Sequence, residues 1–484
     1  MAPLHSVAIA LSCLSVVPVY AASNPVDSLV ASLSPGSEVY FPNNATWADI
    51  TGRWTVWDDP DFTSAIIPAT EKDVVEIVKT ASKYKIPFLA TRSRHGYSGT
   101  LQSLKRGIHV DLRKFDKVNV DAKANRMTIG GGVLFEAIIP PLYKAGKELQ
   151  TGACPCVSVL GPTLGGGLSR YEGIHGLITD ALVSARVVTG VGNIVTASRT
   201  QNSDLFWGLQ GAGFNFGVVV EATYEIYDLT NGGNVVNADY VFPAPANRSF
   251  YQAMKDVSAT MPAELSLLSL LFYDPNTQST SMLLNAVYAG PLSKAKELLK
   301  PFIDIGAVQQ NVSETTWNTM PYLAGFGAQG TLCEKRTLRS LFSAGLKYVD
   351  VDNMVSIFNK YADFHKKVPG ARKSTYELAI YAPQAVQKIP DDATAYPHRD
   401  IGIHALPSCQ WEDRSLDVQI DEFSTSIRDQ TAAKSGFDKL RLYVNYAHGD
   451  EKPESLYGKK KLPKLRQLKR KFDPQGLFSH FNPF

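Results

Sequence analysis

Two runs of three glycines, Gly130-Gly131-Gly132 and Gly165-Gly166-Gly167, constrain this chain's architecture more than any other local feature. Three residues without a Cβ weaken both helix and strand, so each run is expected to end an element and turn the backbone. The apolar pattern around them agrees. From Thr70 to Tyr84 the residues Val74, Val75, Ile77, Val78 and Ala81 follow a helical period, and 86–90 then reads as a buried strand. Further strands are expected at 107–112, 126–129, 182–188 and 217–226. The chain up to about Leu229 is therefore read as one glycine-punctuated α/β region.

Asn231-Gly232-Gly233-Asn234 is a turn signal, and beyond it alternating strands and longer helices run to about residue 435 with fewer glycine clusters. A second domain is expected there. The last stretch carries a predicted strand at 442–446 and then a basic helix with Leu462, Leu465, Leu468 and Phe472 on one face. Its lysines and arginines (Lys459, Lys460, Lys461, Lys464, Arg466, Lys469, Arg470, Lys471) read as a solvated face rather than an anion site.

Residues 6–19 are apolar and are followed by Val19, Tyr20, Ala21 and Ala22, so residues 1–22 are expected to be a secretory signal. Interrupted by Pro18, this stretch is too short to span a bilayer, and no later window reaches that length. Sequons at Asn44, Asn247 and Asn311 fit a secreted glycoprotein. Lysine plus arginine (49) nearly balance aspartate plus glutamate (46), leaving a net charge of +3. That is too little for a surface that tracks phosphates, so nucleic acid is not an expected partner.

Of the five cysteines, Cys13 leaves with the signal and Cys154, Cys156, Cys333 and Cys409 remain. A zinc site built from Cys154, Cys156, His95 and His175 is rejected because the C-x-C spacing is wrong and no second pair exists. A bond between Cys154 and Cys156 would close a strained small ring, and pairing of Cys333 with Cys409 stays open. Chemistry concentrates in two loops instead. One follows the strand ending at Ala90 and centres on His95, where ligands meet backbone in α/β folds. The other, 151–167, is glycine-rich and can point amides at a pyrophosphate or a flat cofactor. A third run, 206–217, superficially resembles a dinucleotide fingerprint, but a strand follows it where a helix should, so it reads as a bulged hairpin turn.

Several segments together carry a family resemblance: 87–98, Cys154-Pro155-Cys156-Val157, the glycine triplet, His175-Gly176-Leu177 with Asp180, Asp204 to Trp207, Phe216 to Val219, and Pro397-His398-Arg399. At the carboxyl end Tyr443-Val444-Asn445-Tyr446, Leu456-Tyr457-Gly458 and 471–478 join them. In order and spacing the chain resembles the berberine-bridge-enzyme-like FAD-linked oxidases of the vanillyl-alcohol-oxidase type, over nearly all of its mature length.

The resemblance implies an α+β fold: two α/β FAD-binding subdomains of the PCMH type at 23–235, a substrate domain with an antiparallel sheet and flanking helices at 236–435, and a segment at 436–484 returning to the FAD domain. It implies FAD bonded covalently to His95 and also to Cys154, with Cys156 as the alternative second attachment. It places Thr91, Arg92, Ser93, Arg94, Gly96 and Tyr97 at the cofactor, with Arg92 and Arg94 as charge partners of the diphosphate. Gly161, Thr163, Gly165, Gly166, Gly167, His175, Val219 and Asn445 complete that set. Ser93 and Arg94 replace the family's usual glycines, and Pro162 replaces a frequent histidine. Val157 matches a position where valine leaves room for dioxygen, so the implied reaction is hydride transfer to flavin with O2 as acceptor and H2O2 as product. The strand after Pro397-His398-Arg399 holds no carboxylate; Tyr443 and His404 are the expected bases, with Gln410 and Tyr446 behind them. The substrate is a small molecule of fungal-type secondary metabolism, or alternatively a carbohydrate or alcohol. A flavin-binding protein without turnover is the reading from another class. No metal and no membrane partner are expected, and the chain is expected to be a monomer.

Overall fold

The computed structural model describes residues 25–328 and 333–484; the expected signal at 1–22 lies outside them. The first sheet contains β1 (Glu38–Tyr40), β2 (Phe62–Ile67), β3 (Phe88–Thr91) and β4 (Gly107–Asp111) in the order β1-β2-β4-β3. β2, β4 and β3 are parallel and β1 is antiparallel at the edge. Helix α1 (Glu71–Tyr84) connects β2 to β3. It begins with a capping box, in which the Thr70 side chain accepts from the Asp73 amide and Asp73 accepts from the Thr70 amide. Such a cap is worth about 1 kcal/mol. The predicted apolar face then buries Val74, Ile77, Val78 and Ala81 against Ile66, Phe88, Ile108 and Val110.

The second sheet is antiparallel throughout: β5 (Val118–Asp121), β6 (Arg126–Gly130), β7 (Leu182–Thr189), β8 (Ile194–Ser198) and β9 (Gly217–Glu225), in the order β5-β6-β9-β7-β8. Helices α2 (Phe135–Lys144), α3 (Leu160–Gly165) and α4 (Ser203–Ala212) share its core. Segment 206–217 is not the expected hairpin turn. It is helix α4 followed by a short 3-10 turn at Gly213–Asn215. Leu205, Phe206, Trp207, Leu209 and Ala212 are all buried, so tertiary burial makes a helix where local composition suggested a turn. Gly211 breaks it at φ +135, where a Cβ would also meet the Tyr396 amide at 2.2 Å.

The third sheet has eight strands: β10 (Asn234–Phe242), β11 (Leu265–Asp274), β12 (Ser279–Tyr288), β13 (Gln309–Thr316), β14 (Leu338–Leu341), β15 (Ala344–Leu346), β16 (Thr375–Tyr381) and β17 (Ile403–Trp411). Their order is β13-β10-β12-β11-β16-β17-β14, with β15 also on β17, and every pair is antiparallel. Helices α5 (Asn247–Thr260), α6 (Val351–Lys367) and α7 (Asp417–Ala433) cover one face, burying Tyr240, Phe242, Leu267, Leu378 and Ile380. Side chains alternate across a strand, so the opposite face carries the register row Asp239, Asn285, Leu268, Ala379 and His404 and, beside it, Leu270, Glu377 and Leu406.

The carboxyl segment returns to the first half. Its predicted strand at 442–446 is instead a 3-10 turn, Val444–Tyr446, because no neighbouring strand is there to pair with it and Tyr446 N bonds back to Tyr443 O. Helix α8 (Leu462–Phe472) follows, with Leu462, Leu465, Leu468 and Phe472 buried in the core of the second sheet. Each such side chain contributes about 1.5–3 kcal/mol. Two of its lysines act as staples rather than as a solvated face: Lys461 caps the carbonyls of Asp391, Thr394 and Tyr396, and Lys469 those of Asn215 and Phe478. Among the described residues no helix is long and apolar enough to cross a membrane.

Candidate active site

The loop leaving β3 is held by its side chains and offers its backbone. Thr91 Oγ1 bonds His109 Nε2 at 2.7 Å, Arg92 Nε donates to Gly132 O at 2.8 Å, and Ser93 Oγ accepts from Ser158 N at 3.1 Å. Arg94 takes φ +62, the left-handed region. Its guanidinium is turned away from the loop, to Ile50 O and to Asp111 at 3.2 Å, so its charge is already matched and it is withdrawn as a phosphate partner. The backbone amides of Arg94, His95 and Gly96 donate to no protein acceptor among the described residues. Three such amides at a left-handed bend make an anion-binding concavity. Burial, then the nearby charges of Lys335 and Arg339, bring His95 down to about 4, so its imidazole is neutral and nucleophilic. Gly96 has open space where a Cβ would stand, with only Phe481 within 4 Å at 3.7 Å. The Tyr97 hydroxyl is buried without a partner.

The second loop brings the cysteines to this place. Cys154 is a free thiol, pushed up to about 12 by burial. Cys156 is joined to Cys333, and its Sγ lies 3.5 Å from His95 Nε2. A disulfide sulfur has no thiol to add to a flavin, so Cys156 is withdrawn as an attachment site, and Cys333 has its partner here rather than in Cys409. Val157 packs against the core of the second sheet. Next comes the glycine turn, clamped from the carboxyl segment. Tyr443 accepts from Gly167 N and from Asn445 Nδ2 and donates to Pro162 O, while Asn445 Nδ2 also reaches Gly161 O. Gly167 sits at φ +86 and a Cβ on Gly165 would lie 2.2 Å from Asn445 Oδ1. Gly166, at φ +127, abuts the Tyr396 ring.

Three residues expected at the cofactor are occupied elsewhere. Thr163 bonds Val159 O and Tyr224 in the core. His175 is 2.8 Å from Glu148 and stacked on Tyr227 at 4.0 Å. Val219 lies in β9, its carbonyl against Gly131. Tyr443, with its hydroxyl saturated as above, is a clamp and not a free base. His404 stands 6.3 Å from the Tyr443 ring, and burial drops it to about 3, too weak a base to collect a proton near neutrality.

The carboxylate missing from the strand after Pro397-His398-Arg399 stands on the neighbouring strand. Glu377 of β16 is the cross-strand partner of Leu406 of β17. Burial lifts its carboxyl to about 7, with Arg170 opposing. Glu377, Arg170, Tyr381 and Tyr446 are within electrostatic range of Cys154. No motif announced Glu377. Its only sequence signal is a lone acid in the apolar strand Thr375–Tyr381, a pattern that marks a buried charge.

The residues present fit FAD. A concavity of free amides, a neutral imidazole, a free thiol two residues before a spoken-for one, and the buried unpartnered Asn445 Oδ1 and Tyr97 hydroxyl are donors and acceptors awaiting a polar, flat ligand. Arg92 remains as the charge beside the amides. Comparison with known proteins agrees. A family model for an FAD binding domain matches residues 63–198, and one described as berberine and berberine like matches 442–483. FAD-linked oxidoreductase azaL of Aspergillus niger is 39% identical over 455 residues, covering 93% of this chain and 96% of its own. FAD-linked oxidoreductase tazG of Aspergillus terreus is 38% identical over 472 residues, covering 96% and 95%. Among solved structures, Physcomitrella patens BBE-like 1 superposes with a TM-score of 0.83 at 19% identity over 94% of this chain and 98% of its own. The glucooligosaccharide oxidase of Acremonium strictum, described with a 6-S-cysteinyl, 8α-N1-histidyl FAD, does so at 0.81 and 22% identity over 94% and 98%. The FAD-binding match, the carboxyl-terminal match and the near full-length relatives converge: the chain belongs to the berberine-bridge-enzyme-like FAD-linked oxidoreductases.

Proposed function

We propose that this protein is an oxidase that carries FAD on two covalent bonds, at His95 and Cys154, and oxidises a small-molecule alcohol or activated C–H bond of secondary metabolism. The observation that carries the reading is that the free thiol Cys154 stands two residues before Cys156, whose Sγ lies 3.5 Å from His95 Nε2, so the two implied attachment residues come from loops that meet. The bound flavin supplies a hydride acceptor at N5 that dioxygen can reoxidise, with H2O2 as product. Everything else falls to the chain. The amides of Arg94, His95 and Gly96, with Arg92, hold the diphosphate; Asn445 and the turn 161–167 hold the sugar-alcohol chain. Tyr446, within electrostatic range of Glu377, would take the substrate's hydroxyl proton as Glu377 takes the proton of Tyr446. A carboxyl lifted to about 7 is suited to this, since it is ionised at mildly alkaline pH yet returns a proton readily. Val157 leaves the path for dioxygen open.

The chain enters the secretory route on residues 1–22, and Asn44 and Asn311, both exposed, are the accessible glycan acceptors. A cross-domain disulfide is in keeping with that compartment. The test is direct. Purified protein is precipitated with acid and the pellet inspected for yellow colour, then oxygen uptake and peroxide are followed with a panel of alcohols and phenols. A yellow pellet with peroxide formed in step with oxygen uptake is expected; a colourless pellet overturns the covalent reading, and a yellow one inert to the whole panel favours a binding protein without turnover.

A further inference from the structure

The two edges of the eight-stranded sheet are finished differently. At one end β14 has four residues, all buried, and its backbone is met by a segment of the first half: Thr55 bridges Thr337, and its Oγ1 donates to Arg339 O at 2.7 Å and accepts from Arg339 N at 3.2 Å. At the other end β13 has eight residues, and among the described residues no strand pairs with its outer side. Gln309, Gln310, Asn311, Val312 and Glu314 are exposed, and Val308, just before the strand, is 68% exposed. An open edge presents alternate N–H and C=O groups to any other strand, and proteins blunt it with lysine, proline, a bulge or shortness. β13 has none of these. From Gln309 to Thr316 there is no lysine, arginine or proline and a single charge, Glu314. Its register against β10 runs unbroken from Gln309 opposite Val241 to Thr316 opposite Asn234. What the strand does hold, at its centre, is the acceptor Asn311-Val312-Ser313. Alternation puts Asn311 and Ser313 on one face of the strand and Val312 on the other.

We propose that Asn311 carries an N-linked glycan and that this glycan protects the edge: a hydrated, branched chain fixed in the middle of β13 keeps a second copy from adding its own β13 antiparallel to it across a two-fold axis. The inference rests on the chain's passage through the secretory route, on which such sugars are added. In that step Asn311 Nδ2 displaces a lipid diphosphate from the anomeric carbon of an activated oligosaccharide. A C–N bond forms, the C–O bond to the diphosphate breaks, one amide proton is released and no electrons are exchanged. The bare strand has no defence in its charge. Paired over its full length with a second copy, β13 would set Glu314 opposite Asn311 and not opposite its own kind, so no like charges meet. A glycan on Asn311 stands in that same contact and closes it.

The test uses the full chain secreted from a eukaryotic host. Glycopeptide mass spectrometry is expected to find Asn311 occupied, and light scattering to find a monomer. Asn311→Gln and Ser313→Ala each remove the acceptor, and each is expected to raise the weight-average mass toward about twofold at micromolar concentration. Asn44→Gln, which leaves β13 alone, is expected to stay monomeric. Adding Val312→Lys to N311Q is expected to restore the monomer, a rescue that follows from a blocked edge and not from a sugar that only aids folding. An unmodified Asn311 beside an occupied Asn44, or monomers of both N311Q and S313A, overturns the proposal. A wild type that stays in the cell, or is bare at Asn44, Asn247 and Asn311 alike, fails the secretory reading instead, and the mass spectrum tells the two failures apart. Should neither variant be secreted, the secreted wild type is trimmed by a glycosidase under native conditions: a doubled mass supports the proposal, and a mass that stays monomeric once the Asn311 sugar is gone overturns it.

Discussion

The two walls of the site are made of different material. Loops 91–97 and 151–167 offer main-chain amides and the two side chains proposed to carry the flavin, His95 and Cys154, while their other side chains (Thr91, Ser93, Arg94, Thr163) face inward and brace the loops. The sheet does the reverse: its backbone is consumed by strand pairing, and only the side chains of alternate residues, Glu377, Tyr381 and His404 among them, project from the face opposite its helices. The first wall suits a ligand common to a whole family, since any residue has an amide. The second can change its chemistry by single substitutions without disturbing the fold, which is where substrate choice belongs.

Substitutions separate the walls. The largest effect is expected on the sheet: Glu377→Gln should lower kcat/KM by about 10²–10⁴-fold at full flavin content, read by oxygen uptake. Because Glu377 is raised to about 7 and acts as a base, kcat/KM of the wild type should rise as pH passes upward through 7, and the variant should lose that limb. On the loop wall, His95→Ala with Cys154→Ala should give a colourless acid pellet, whereas either single change should keep the colour and shift the spectrum. An intact yellow pellet from the double variant would erase the distinction between the walls. Cys156→Ser with Cys333→Ser should keep flavin but cost about 2–5 kcal/mol of stability, read as a lower Tm. The smallest effect is common to both walls. His109, behind the first, and His404, on the second, are both brought to about 3 by burial. Unfolding lets them take up protons below about 6.5, so stability should fall as pH drops from 6.5 toward 4. Tm measured across that range checks it, and a flat profile would mean that these imidazoles titrate as free ones do.

The walls also differ in how far they could be read from the sequence. The first is local: a strand, a loop with His95 at its centre and a glycine turn follow one another, so these loops and the helix at 71–84 are legible from spacing and periodicity, while the roles of His95 and Cys154 come from the family resemblance. Glu377 was not, because its meaning lies in register. A single acid in an apolar strand gains the proposed role of base only when β16 pairs with β17 and sets it beside Leu406, on the strand where the family resemblance implies a carboxylate. Tyr443 and His404 are titratable groups near a motif. What they do was decided by burial and by hydrogen bonds to Gly167 and Pro162, contacts 276 and 281 residues away along the chain. The helix at 203–212 was missed for a related reason, since its apolar residues are buried by elements distant in sequence.

The bond between Cys156 and Cys333 joins residues 177 positions apart. At ordinary elongation speeds its second sulfur leaves the ribosome on the order of 10–35 s after the first. During that interval two thiols, Cys154 and Cys156, stand two residues apart and compete for any electrophile. Closure by Cys333 ends the competition and leaves Cys154 alone. The carboxyl segment that clamps the glycine turn through Tyr443 and Asn445 is synthesised later still. Synthesis order therefore lets Cys156 be retired before the carboxyl-terminal clamp exists, and, if flavin bonds Cys154 as proposed, a host that cannot oxidise the chain would leave two thiols in place of one.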